Sequence, residues 1–151
     1  MRSVQAYQEL FSAHLSSLSF EKKPKGLYEP ISYIMQLGGK RMRPVLALMA
    51  CEAMGKEPIS ALGVASAVEL FHNFTLLHDD IMDEAHIRRG NQTVHNKWDL
   101  STAILSGDVM LILAYQLFEN YKGETFVSLA KLFSKTAIEV CEGQQMDIDF
   151  S

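Results

Sequence analysis

Apolar residues recur at helical spacing along nearly the whole 151-residue chain. Val4, Tyr7, Leu10, Phe11, Leu15 and Leu18 fall three and four apart, which predicts an amphipathic helix over residues 4–18. Ser16 to Pro24 interrupts the pattern with a charged connector. Leu27, Ile31, Ile34, Met35 and Leu37 form the apolar face of a second helix that stops at Gly38-Gly39. Pro44 opens a short helix through Cys51, whose composition predicts burial nearly all round. After a turn at 55–58, Ser60 is a candidate cap for a long helix over 61–83, with Gly63 its one weak point. Residues 88–92 read as a polar loop and 93–98 as a helical turn. Helices are expected over 101–121 and 125–149, separated by Lys122-Gly123. No stretch alternates, and no Asn-Gly type turn joins two β-branched runs. The expected fold is all-α, a single domain of antiparallel helices over 1–151.

Composition narrows the class. A hydrophobic share of 48% and a charged share of 21% are those of an ordinary soluble domain with a real core. No uncharged apolar run has the length of a membrane span, and Met1 to Gln5 lacks a signal-peptide core. Cys51 and Cys141 stand far apart and read as reduced thiols. The expectation is a cytoplasmic protein without stable membrane insertion. A net charge of −4 gives no support to nucleic-acid binding. The last residues, Asp147 to Ser151, keep helical periodicity without a capping glycine, so the chain is expected to be part of something longer.

Three polar constellations interrupt this apolar background. The first is His72 to Asp83, which ends the long helix. At about 100° per residue, His72, Leu76, Asp79 and Asp83 fall in one stripe and Asp80 lies aside. Like-charged carboxylates one turn apart repel unless a cation lies between them. Two readings fit: a solvated acidic helix end, or a site for a hard divalent ion such as Mg²⁺, which binds through one or two carboxylates plus substrate phosphates. The second is Gly38-Gly39-Lys40-Arg41-Met42-Arg43-Pro44. It places three cations where a helix begins, either a solvated basic turn or an anion site. The third is Arg88-Arg89-Gly90, close enough in sequence for both guanidiniums to fold back toward the carboxylates. Taken together they describe one arrangement, in which a metal site holds one diphosphate and a Lys/Arg group holds another.

At these residues the chain resembles the trans-isoprenyl diphosphate synthases, or polyprenyl synthetases. The resemblance rests on the Gly-Gly-Lys-Arg-x-Arg-Pro stretch, His72 to Asp83, Arg88-Arg89-Gly90, Leu105-Ser106-Gly107-Asp108 and Gly143 to Asp147, in that order. It implies the N-terminal half of an isoprenoid-synthase-type helical bundle that works as a homodimer. It also implies condensation of isopentenyl diphosphate with an allylic diphosphate, giving a short product such as farnesyl or geranylgeranyl diphosphate. Mg²⁺, or Mn²⁺ in its place, would sit on Asp79 and Asp83 with Asp80 assisting. Arg88 would contact the allylic diphosphate, and Gln144 and Asp147 would line that side. Gly39, Lys40, Arg43, His72 and Arg89 would hold isopentenyl diphosphate, with Lys40 counted in the catalytic set. Phe71, Phe74 and Leu77 would supply apolar wall, and Phe74 with Thr75 would limit product length.

The family's second aspartate-rich motif lies beyond residue 151, so these residues alone are expected to be inactive or nearly so. Three alternatives remain in view. A cyclising terpene synthase would leave Gly38 to Arg43 without a task. An HD-type metal phosphohydrolase would put His72 and His78-Asp79 on a metal. A non-catalytic half-length subunit would bind a complete partner.

Overall fold

A computed structural model describes residues 1–150 and bears out the all-α expectation. The helices are α1 (Val4–Ser17), α2 (Lys25–Gln36), α3 (Met42–Ala53), α4 (Leu62–Met82), α5 (Val94–Lys97), α6 (Leu100–Gln116) and α7 (Gly123–Phe150). Strands β1 (Ile87–Arg88) and β2 (Asn91–Gln92) form a small antiparallel hairpin between α4 and α5. The chain divides into two compact units, one ending at Leu117 and one beginning at Phe118.

In the first unit α4 is the axis, touching α1, α2, α3, α5 and α6. Small buried residues, Ala65, Ser66 and Ala67, let neighbours approach its first turns, and Leu70 and Leu77 fill the space further along. Tyr7 and Phe11 of α1 meet Val45 and Leu48 of α3 and Ala65 of α4 in one fully buried cluster. α6 comes tightly against α4 at Gly107, where an added Cβ would lie 2.4 Å from His78 Nε2. One residue earlier, Ser106 Oγ donates to the Leu27 carbonyl at 2.9 Å and ties α6 to α2. Ser106 and Gly107 of the Leu105 to Asp108 motif thus serve helix packing. Ser3 caps α1 and Asp99 caps α6, each accepting a backbone N–H.

Several sequence expectations are corrected. α3 is open on one side: Val45 and Leu48 are buried but Leu46 is 57% exposed, because only one face meets α1 and α4. Ser60 does not cap α4; its hydroxyl donates to the Glu57 carbonyl at 2.7 Å inside a 3₁₀ turn, Pro58–Ala61, that leads into the helix. α6 ends at Gln116 and tightens into a 3₁₀ turn, Leu117–Asn120, earlier than the expected Tyr121. The polar loop at 88–92 is the hairpin. Residues 58–82 and 100–120 are also long and apolar enough, by length and composition, to cross a membrane. In this fold they are the two helices that pack most closely against each other.

The second unit is built on α7, which carries Gln144 and Asp147. Phe118 and Phe133 meet edge to face within it, with centroids 5.1 Å apart. Leu132, Ile138 and Ile148 of α7 are each more than half exposed.

Gly107→Ala tests the α4–α6 contact. Propensity alone would favour alanine inside a helix, yet steric conflict with His78 should lower stability by about 1–3 kcal/mol. Urea denaturation should show this loss shrinking when the same substitution is made in a His78→Ala background.

Candidate functional site

The acidic half of the site is the last turn of α4. Asp79 is half-buried, Asp80 is 2% exposed, and Asp83, just past the helix end, is open to solvent. A carboxylate as buried as Asp80 needs a partner. Arg88 is that partner: Nε donates at 2.9 and 3.1 Å to the two oxygens, and Nη2 donates to Oδ1 at 2.6 Å. This grip raises the Arg88 pKa.

The hairpin delivers that arginine. Arg89 and Gly90, its two turn residues, have φ of 53° and 79°, the left-handed values that a tight two-residue hairpin turn needs. Thr93 anchors the base, its hydroxyl donating to the Ala85 carbonyl at 2.7 Å and its N–H to the His86 carbonyl at 3.1 Å. The turn sends consecutive side chains to different places. The sequence allows both arginines to fold back toward the carboxylates, and Arg88 does so. Arg89 donates instead to the Gly38 carbonyl.

That carbonyl belongs to the basic half. Gly38 and Gly39 adopt φ of 77° and 131° between α2 and α3. A Cβ on Gly39 would lie 2.8 Å from Arg89 Nη1, so only glycine admits the guanidinium there. Arg41 is also left-handed, at φ 50°, a conformation that costs a residue with a Cβ roughly 1–2 kcal/mol. Its guanidinium is turned inward, donating to the Glu69 carboxylate and, at 2.6 Å, to the Met35 carbonyl. Arg43 Nη1 stands 3.3 Å from His72 Nε2. Lys40, Arg41, Arg43, Arg89, Glu69 and His72 line an open pocket of about 560 Å³. Burial, and next the Arg43 charge, push the His72 pKa down, which favours a neutral imidazole. Burial and then the charge of Arg41 likewise lower the Arg89 pKa.

Sequence reasoning passed over Glu69. It is 2% exposed and receives Asn73 Nδ2 at 3.1 Å as well as Arg41. The signal was present as a lone carboxylate inside an apolar helix, three residues before His72. The candidate wall residues lie one turn before the aspartates. Phe74 is half-buried, its ring centroid 5.7 Å from Phe71 and 4.7 Å from the His78 ring, and Thr75 Oγ1 donates to the His72 carbonyl. Gln144 and Asp147 belong to α7, in the second unit.

The donor set suits a hard divalent cation. Asp80 is gripped by Arg88, Asp79 and Asp83 are two further carboxylates at the same helix end, and Mg²⁺ binds through one or two such groups when phosphates complete its shell. Among the described residues no three His, Cys, Asp or Glu side chains gather as a ready-made cage. The HD-type alternative finds no support. His72 faces Arg43, and His78 Nε2 is packed at Gly107 with the Ile104 carbonyl 3.4 Å away, so the two imidazoles have separate surroundings.

Residues 24–151 match the family profile described as polyprenyl synthetase. A geranylgeranyl pyrophosphate synthase of Geoglobus acetivorans is 40% identical over 94% of this chain and 45% of its own length. A geranylgeranyl diphosphate synthase of Methanosarcina mazei is 45% identical over 85% of this chain and 40% of its own. A crystal structure of a geranylgeranyl pyrophosphate synthase superposes with a TM-score of 0.96 at 54% identity, over 99% of this chain and 46% of that one. The chain spans about half the length of the relatives it matches.

Two stability measurements follow from this geometry. Asp80→Asn breaks a charge-assisted hydrogen-bonded pair and should cost about 1.5–3 kcal/mol, whereas the exposed Asp83→Asn should stay within about 0.5 kcal/mol; thermal melts of the two variants compare them. The second is pH dependence. Because the folded pKa of His72 lies below its unfolded value, protonation favours the unfolded chain. Its penalty is absent above about pH 6.5 and grows as pH falls below that value. The melting midpoint should therefore drop between pH 7.5 and pH 5.5, and drop less in His72→Gln.

Proposed function

The chain belongs to the polyprenyl synthetase family, and on that premise we propose that it carries the first half of a trans-prenyltransferase active site. The reaction joins isopentenyl diphosphate to an allylic diphosphate. One observation carries this reading: two consecutive arginines of one hairpin turn are split between an acidic centre, at Asp80, and a basic pocket, at Gly38. The two substrates would bind on either side of that turn.

On the acidic side Asp79 and Asp83 would hold Mg²⁺, or Mn²⁺, which supplies neutralisation of the charge that develops on a departing diphosphate. Arg88, fixed through Nε and Nη2, keeps Nη1 for an oxygen of the allylic diphosphate. Asp80 assists by orienting it. On the basic side Lys40, Arg43 and Arg89 surround the diphosphate of isopentenyl diphosphate. Gly39 lets the backbone come close, and the His72 imidazole adds a hydrogen bond. Held in this way, the isopentenyl double bond attacks the allylic carbon as its C–O bond breaks. A proton then leaves the new chain, and the departing diphosphate is a suitable base. Fixed charges pointing at the leaving group are the main source of acceleration. The Phe71 and Phe74 rings offer the cation π-faces that do not quench it.

Phe74 and Thr75 limit the growing chain, which favours a farnesyl or geranylgeranyl product. The family pattern alone assigns Gln144 and Asp147 to the allylic substrate. The residues belong to the N-terminal portion of a longer synthase domain, and the protein is a soluble, cytoplasmic homodimer.

Titration of Mg²⁺ with a non-hydrolysable allylic diphosphate analogue tests the acidic half. Metal-dependent binding should be found with this chain and lost in Asp79→Asn/Asp83→Asn. Equal binding by the variant would overturn the assignment of those aspartates.

A further inference from the structure

We infer that Glu69 is a positioning residue for the basic pocket: it draws the Arg41 guanidinium inward and so holds the Gly38-to-Arg43 turn in the shape that presents Lys40, Arg43 and Arg89 to a diphosphate. The inference rests on the reading of that pocket as a diphosphate site. Three observations lead to it. Arg41 occupies a left-handed backbone position two residues past Gly39, against the conformational preference of a residue with a Cβ. Its side chain then points into the protein, with only 11% exposure, and bridges α4 at Glu69 to the end of α2 at the Met35 carbonyl. The carbonyl that receives Arg89 lies in the same turn, three residues from Arg41, so the pose of Arg89 depends on the turn that Arg41 clamps. Glu69 is itself held in place, 2% exposed and hydrogen-bonded by Asn73 Nδ2 at 3.1 Å. One of the pocket's cations is thereby assigned to structure and three are left for the ligand.

The sign of one substitution separates this role from plain electrostatics. Glu69→Gln removes a negative charge from the pocket lining, which by charge alone should tighten anion binding. If Glu69 positions the turn, the buried guanidinium loses its counter-charge and leaves its place. Binding then weakens, by about tenfold, the scale on which supporting hydrogen-bond partners act at other binding centres.

The probe is inorganic diphosphate, titrated calorimetrically into the full chain without metal, with folding followed by circular dichroism. Arg41→Lys keeps a charge for Glu69 but cannot make the forked contact to both partners, and it should lose about as much. The double variant should lose no more than the worse single one. Mg²⁺-dependent binding of the allylic analogue should be unchanged in Glu69→Gln, which a general folding defect would not allow. Unchanged or tighter diphosphate binding by Glu69→Gln overturns the inference, and if that variant does not fold, wild-type affinity in Arg41→Lys overturns it equally. No diphosphate binding by the unsubstituted chain overturns the reading of the pocket itself and the inference with it.

Discussion

A carboxylate buried in an apolar helix must find a cation, and α4 contains two such carboxylates, Glu69 and Asp80. Left alone, each would carry a desolvation penalty of several kcal/mol. Neither finds its counter-charge within the helix. Arg41 arrives from the turn before α3, and Arg88 from the hairpin after α4. Each pair therefore does two things at once: it makes a charge tolerable inside the core and it ties a connecting segment to the central helix. The two segments tied down are the ones that carry the remaining cations of the site.

The rest of the first unit keeps α4 in place for that purpose. Small residues near its start admit its neighbours, and the Tyr7, Phe11, Val45, Leu48 and Ala65 cluster fastens α1 and α3 to it. Near its end, the absence of a side chain on Gly107 lets α6 come against His78, the residue just before the aspartates. Because interiors are close-packed, a shift there is transmitted to the helix end. Residues that touch no substrate can thus decide where Asp79 and Asp83 stand.

The four arginines of the site differ in how far their charge is cancelled. Arg41 and Arg88 are the ones with carboxylate partners, and their guanidiniums are largely spoken for. Arg89 is held by a carbonyl and Arg43 lies beside an imidazole, so their positive charge is not cancelled. A basic cluster of this kind is electrostatically unfavourable without an anion. Uncancelled charge of this kind is what the proposed diphosphate site requires.

Much of this was legible before any coordinates. Helical periodicity located α1, α2 and α4 to within a residue or two, because a one-sided apolar stripe has only one stable way to be buried. The order and spacing of the acidic and basic motifs pointed to the family that the comparisons then showed. The hairpin was missed because its turn is Arg-Gly, and arginine is not a residue that advertises a left-handed conformation; a tertiary bond to Gly38 holds it there. The open side of α3 was missed because apolar composition does not say how many neighbours a helix will have. Residue type and local spacing thus determined most of the helices, the family and which groups are candidates for the chemistry. Only the tertiary structure decided which charges cancel one another and which do not. That outcome depends on segments far apart in sequence meeting where water is excluded, and no local pattern encodes it.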